Sequence, residues 1–273
     1  MKAQGFEVDF APVDNKGFVD VEALEDLIRP DTTLVSIMAV NNEIGSIQPI
    51  EAISEFLADK PTISFHVDAV QALAKIPTEK YLTERVDFAT FSGHKFHGIR
   101  GVGFIYIKSG KKITPLLTGG GQERDYRSTT ENVAGIAATA KALRLSMEKL
   151  DIFRSKTGQM KAVIRQALLD YPDIFVFSDE EDFAPHILTF GIKGVRGEVI
   201  VHAFEDYDIF ISTTSACSSK AGKPAGTLIA MGVDKDKAQS AVRLSLDLEN
   251  DMSQVEQFLT KLKLIYNQTR KVR

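Results

Sequence analysis

Apolar residues in this chain come in short runs set between longer polar stretches of helical spacing. Residues 6–10, 33–39, 62–67, 86–91 and 103–107 read as strands, with 21–28 and 50–57 as helices between them. Alternation of this kind predicts an α/β domain built on a largely parallel sheet. Residues 34–40 and 86–91 are almost continuously apolar, as expected of strands covered on both faces. Residues 131–150 read as a long helix with Thr129 or Thr130 as N-cap and Glu131 in the first turn, and 157–169 as a second. Strands are then expected at 174–177, 187–192, 209–213 and 241–246, helices at 198–204 and 253–266. A boundary near residue 150 divides a large α/β domain, 1–150, from a smaller α+β domain, 151–273. Residues 1–4 resemble the tail of a helix released at Gly5, which predicts that the large domain is incomplete at its start.

Composition narrows the class. With 44% hydrophobic and 26% charged residues, the chain has the balance of a globular protein. A net charge of -4 gives no electrostatic case for nucleic acid or an anionic membrane. The apolar runs are far short of a membrane span, and the first residues show no secretory h-region. The single cysteine, Cys217, rules out a disulfide within the chain and predicts a cytoplasmic setting.

The chemistry gathers at strand ends. Ser92-Gly93-His94-Lys95 closes one apolar run and opens the Gly-rich stretch His97-Gly98-Ile99-Arg100-Gly101. A lysine there is held by the sheet, and Ser92 and His94 suit an anion. The plainer reading of Lys95 is a turn lysine. Asp68, in His66-Val67-Asp68-Ala69, ends another run. A strand-end carboxylate must meet a cation or donors, unless it simply caps a helix over 69–74. Lysine and aspartate so placed suit pyridoxal phosphate (PLP), in which a Lys forms the Schiff base and an Asp pairs with the pyridinium nitrogen. Gln71 is either a donor to a ring oxygen or part of a polar helix face. His94 and His97 form an H-x-x-H pair, but no carboxylate or cysteine nearby completes a metal site.

Other segments are open to two readings. Asn41-Asn42-Glu43-Ile44-Gly45 is a ligand-binding turn at the carboxyl edge of the sheet, or a polar turn. Gly119-Gly120-Gly121-Gln122-Glu123-Arg124 lacks the Lys-Ser or Lys-Thr of a Walker site. Arg127-Ser128-Thr129-Thr130 precedes the long helix and either binds phosphate or caps. Cys217 lies among small, polar, Gly and Pro residues, where Lys220 and Lys223 favour its thiolate. Arg243 interrupts a strand, as a carboxylate clamp or an edge-strand salt bridge.

Taken together, in this order and spacing, these segments resemble the cysteine desulfurases of the class-V aminotransferase family, over essentially the whole chain. The resemblance implies the PLP-dependent transferase fold type I. It implies that Lys95 carries the cofactor and Asp68 pairs with the pyridine nitrogen. Asn42 and Gln71 then lie around the ring hydroxyl, and Ser92 and His94 hold the phosphate. Thr130 reaches the phosphate of a partner subunit, so a homodimer is implied. Arg243, with Asn42, binds L-cysteine, and Cys217 takes its sulfur as a persulfide. The sulfur then passes to an acceptor protein for iron-sulfur cluster or thio-cofactor assembly.

Two departures stand out. The family's N-terminal segment, with a Gly-Ala-Thr/Ser phosphate turn and a ring-stacking histidine, has no counterpart here. Thr129 stands where members usually have glycine, and Asp247 where many do. The alternatives are a non-catalytic remnant acting through interaction surfaces, or a related enzyme such as a selenocysteine lyase.

Overall fold

The computed structural model describes residues 2–179, 181–214 and 226–271. In chain order the elements are α1 (Val21–Asp26), β1 (Leu34–Met38), α2 (Ile50–Phe56), β2 (Ser64–Asp68), β3 (Phe88–Ser92), β4 (Gly103–Ile107), α3 (Val133–Glu148) and α4 (Leu150–Leu169). Then follow β5 (Ile174–Val176), β6 (Ile187–Ile192), α5 (Gly197–Glu205), β7 (Ser212–Thr213), α6 (Gly226–Ala230), α7 (Lys235–Gln239), β8 (Ala241–Ser245) and α8 (Met252–Lys271). They fall into two compact units. One comprises residues 30–39 and 50–150, and the other joins 1–29 and 40–49 to 151–273.

The first unit is a four-stranded sheet in the order β1-β2-β3-β4. β1, β2 and β3 run parallel, and β4 returns antiparallel to β3. Phe65, Val67 and Ala89 are fully buried on one face. The opposite face carries Ser36, His66, Thr90 and three apolar residues that stay open, Leu34, Met38 and Ile105, exposed by 38%, 41% and 41%. Cover on both faces was expected from the apolar runs; among the described residues Phe88 is buried on this second face too, but the cover there is partial.

Asp87 fixes the start of β3. Its carboxylate accepts from the Phe65 N–H at 2.9 Å and from Arg85 Nη1 at 2.8 Å, and pairs with Lys111 at 3.2 Å. Arg85 also donates to the Leu57 and Lys60 carbonyls at 2.8 and 3.1 Å. Burial pushes the Asp87 carboxyl up, but the Phe65 N–H, Arg85 and Lys111 outweigh it and hold the group below the usual carboxylate range.

The second unit has an antiparallel sheet in the order β5-β6-β8-β7. Met160, Ile164 and Leu168 recur at helical spacing on α4 and share a core with Phe190 and Val242 of the sheet and Phe258 of α8. Phe204 of α5 stacks on Phe258 with centroids 4.9 Å apart.

Several expectations shift. Residues 6–10 form no strand, having no ladder partner among the described residues. The cap of α3 is Asn132, whose Oδ1 accepts from the Gly135 N–H at 3.0 Å, rather than Thr129 or Thr130. The chain before it is still in a loop, where the Ser128 N–H donates to the Leu117 carbonyl at 3.0 Å. Glu131 therefore precedes the helix. The helix expected from 157 begins at Leu150, and only Ser212–Thr213 of the strand expected at 209–213 pairs with β8.

Candidate active site

In the first unit, the parallel pairing of β2 with β3 sets Asp68 beside Thr90, so Asp68 and Ser92 end neighbouring strands on one face. The chain leaves β3 through a 3-10 turn, Gly93–Phe96, that presents His94 and Lys95. Its ends are anchored. Phe96 is buried, and its carbonyl accepts from Ser146 Oγ of α3 at 3.2 Å. The Gly93 N–H donates to the Val102 carbonyl at 2.9 Å, and the Gly98 N–H to the Gly93 carbonyl at 2.8 Å. A Cβ at Gly93 would lie 2.9 Å from the Val102 oxygen, and one at Gly98 2.7 Å from the Gly93 oxygen. Both positions require glycine for close backbone approach.

Asp68 does not cap a helix over 69–74. A single turn stands there, closed by the Leu73 N–H on the Ala69 carbonyl at 3.1 Å, and Ala74 ends it with φ 59°. Asp68 Oδ1 accepts from the Val70 N–H at 3.0 Å. Its second oxygen has no hydrogen-bond partner among the described residues. The same holds for the side chains of Gln71, Ser92, His94, Lys95 and Thr130. Gln71, Ser92 and Lys95 are half-buried, whereas Asp68, His94 and Thr130 are exposed. Thr130 lies in the segment leading to α3.

The second unit places Asn42 and Arg243 together. The Asn41 side chain closes the 41–45 turn, accepting from the Glu43 and Ile44 N–H groups at 2.8 and 3.0 Å. Gly45 ends it with φ 86°. Arg243 Nη1 donates to the Asn42 carbonyl at 2.6 Å. Nε of Arg243 is buried without a hydrogen-bond partner, and the guanidinium meets no carboxylate among the described residues. β8 lies between β6 and β7, so Arg243 is not on an edge strand. Cys217, with its loop, lies outside the described residues.

This donor set fits PLP. A lysine amine suits the aldehyde, a carboxylate oxygen the protonated ring nitrogen, and a hydroxyl with an imidazole the phosphate. A half-buried guanidinium that meets no carboxylate among the described residues suits a substrate carboxylate. Among the described residues, no three or more His, Cys, Asp or Glu side chains cluster as metal ligands.

Sequence reasoning passed over one group. His66 Nδ1 lies 2.8 Å from Ser36 Oγ and its Nε2 lies 3.1 Å from Thr90 Oγ1. The three residues sit on three strands, and only the register brings them together. Burial lowers the His66 pKa, against an opposing pull from Asp68.

A family model described as aminotransferase class-V matches residues 1–258. A NifS/IcsS protein homolog of Lactobacillus delbrueckii subsp. bulgaricus is 50% identical over 98% of this chain and 70% of its own length. The cysteine desulfurase IscS of Clostridium botulinum is 37% identical over 100% of this chain and 69% of its own. Among solved structures, a NifS-like protein superposes with a TM-score of 0.89 at 38% identity, covering 97% of this chain and 70% of that one. A NifS-like protein from Rickettsia africae gives 0.84 at 31% identity, covering 94% and 69%. The mixed α/β architecture is thus fold type I of the PLP enzymes. By the family match and these identities, the chain belongs to the class-V aminotransferase family.

Proposed function

We propose that this chain carries out PLP-dependent removal of sulfur from L-cysteine, giving L-alanine and a persulfide on Cys217. The observation that carries the reading is the set Asp68, Gln71, Ser92, His94 and Lys95 at one end of a largely parallel sheet, whose side chains keep polar atoms without partners among the described residues. The names of the relatives favour it over a selenocysteine lyase or a non-catalytic remnant.

Bound PLP supplies an electron sink that acidifies the substrate Cα–H. Lys95 supplies the amine that holds it, and moves the proton at Cα. Asp68 keeps the pyridine nitrogen protonated. Gln71 and Asn42 bind around the ring hydroxyl, and Ser92 and His94 bind the phosphate. Arg243, with Asn42, receives the L-cysteine carboxylate. The Cys217 thiolate attacks the substrate sulfur. The S–S bond forms as the C–S bond breaks, the sulfur is oxidised, and the carbon is reduced to the methyl group of alanine by taking up a proton. The persulfide then serves a sulfur-acceptor protein in iron-sulfur cluster or thio-cofactor assembly.

The same reading makes the protein a cytoplasmic homodimer in which Thr130 reaches the partner subunit's phosphate. It assigns cofactor binding to a large domain, 1–150, and the Cys217 loop to a small domain, 151–273. No helix among the described residues is long and apolar enough to cross a membrane.

The test is to add PLP to the purified chain and record the visible absorbance of lysine-linked cofactor. The band is expected in the parent and absent in Lys95→Ala. Sulfide release from L-cysteine is expected to fall sharply in Cys217→Ser. A folded chain with no Lys95-dependent band overturns the proposal.

A further inference from the structure

The Ser36–His66–Thr90 bridge lies one pleat below the strand ends that carry the candidate site. Ser36 is the register partner of His66, and Thr90 that of Asp68, so all four share a face. His66 is two residues before Asp68 on β2, and Thr90 two before Ser92 on β3. Backbone bonds continue the tie above it, from the Ala39 N–H to the Asp68 carbonyl at 2.8 Å and from the Ala69 N–H to the Thr90 carbonyl at 3.0 Å.

A histidine in a sheet face needs a reason. Aromatic or β-branched residues would pack there without a polar cost. A neutral imidazole offers one donor and one acceptor, and a hydroxyl answers either. It therefore links β1, β2 and β3 through side chains without placing a cation beside Asp68. An imidazolium there would compete for the carboxylate that the cofactor nitrogen needs. Burial favours the neutral form.

We propose that His66, held between Ser36 and Thr90, is a positioning residue that sets the spacing of Asp68 and Ser92 and so the affinity of the chain for PLP. The inference rests on the proposed function for its ligand, and on the sheet alone for its geometry.

Two substitutions separate positioning from packing. His66→Phe keeps the ring and loses both hydrogen bonds, while His66→Gln keeps one donor and one acceptor. Titration with PLP, followed by visible absorbance, is expected to give a Kd about tenfold or more higher for His66→Phe, with a displaced band, and within about threefold of the parent for His66→Gln. Without PLP, amide exchange at Ala39 and Ala69 is expected to quicken in His66→Phe and to return towards the parent rate in His66→Gln. If His66→Phe fails to fold by circular dichroism, Ser36→Ala and Thr90→Val decide, each expected to weaken PLP about fivefold. A parent with no Lys95-dependent band defeats the proposed function, and the exchange rates then judge the positioning role by themselves. Parent-like affinity and exchange in His66→Phe, or a His66→Gln no better than His66→Phe, overturns the inference.

Discussion

Replacing Asp87 with alanine tests what holds the strands of the first unit in place. Asp87 is 1% exposed, and its carboxylate joins the Phe65 N–H of β2 to Arg85 and Lys111. Its removal leaves a buried N–H without an acceptor, which costs about 1–3 kcal/mol. It also leaves the poorly exposed Arg85 guanidinium facing no charge. Breaking a buried pair on one side costs about 3–5 kcal/mol, and that range already contains the orphaned donor. A domain holds about 5–15 kcal/mol in all, so Asp87→Ala is expected to be severely destabilised. Urea unfolding, followed by amide exchange at Phe65, measures the loss, and a double-mutant cycle with Arg85→Met isolates the pair. The effect also depends on pH. The Asp87 carboxyl is depressed in the folded chain, so its contribution is complete above the unfolded pKa of about 4. It drains away as the pH falls through the lower folded value, and the gap between parent and variant should narrow there. A loss below about 1 kcal/mol, or a gap that stays constant into that acid range, refutes the reasoning.

Two further outcomes follow from single contacts. Asn132→Ala removes the side-chain acceptor of the Gly135 N–H and should cost about 1 kcal/mol in denaturant unfolding, whereas Thr130→Ala should leave stability nearly unchanged. Arg243→Lys keeps the charge but loses the planar fork. It should raise the KM for L-cysteine about tenfold or more, with a smaller change in kcat, and an unchanged KM would remove Arg243 from carboxylate binding.

Strand ends were legible because apolar runs stop abruptly at them. β4 has the bounds the pattern predicts, and Asp68, Ser92 and Lys95 stand where strands give way to turns. What failed depends on partners distant in the chain. Residues 6–10 look like a strand, yet a strand exists only where another segment completes its ladder. For Arg243 the sequence leaves a carboxylate clamp and an edge-strand salt bridge both open, and only the pairing of β7 with β8 on its far side removes the edge. The His66 bridge joins residues 30 and 24 apart in sequence, and nothing local marks Ser36 or Thr90 as its partners.

The same contrast explains Lys95. As sequence, Ser92-Gly93-His94-Lys95 and the glycine-rich stretch after it look like two features, a chemical motif and a loop. The fold makes them one device. β4 returns against β3 after the connection 93–102, with Ser92 and Gly103 as register partners. That connection folds back on itself, bringing the Gly93 N–H onto the Val102 carbonyl and the Gly98 N–H onto the Gly93 carbonyl, where side chains would collide. With both glycines and Phe96 fixing the backbone, Lys95 needs no ion pair to hold its place. Its amine is left without a partner among the described residues, as the proposed covalent role requires. Lys161 shows the opposite case, being buried with Nζ donating to the Ala184 carbonyl at 3.0 Å. The backbone around Lys95 therefore sets it apart from a lysine such as Lys161, whose place is fixed by a hydrogen bond of its own amine.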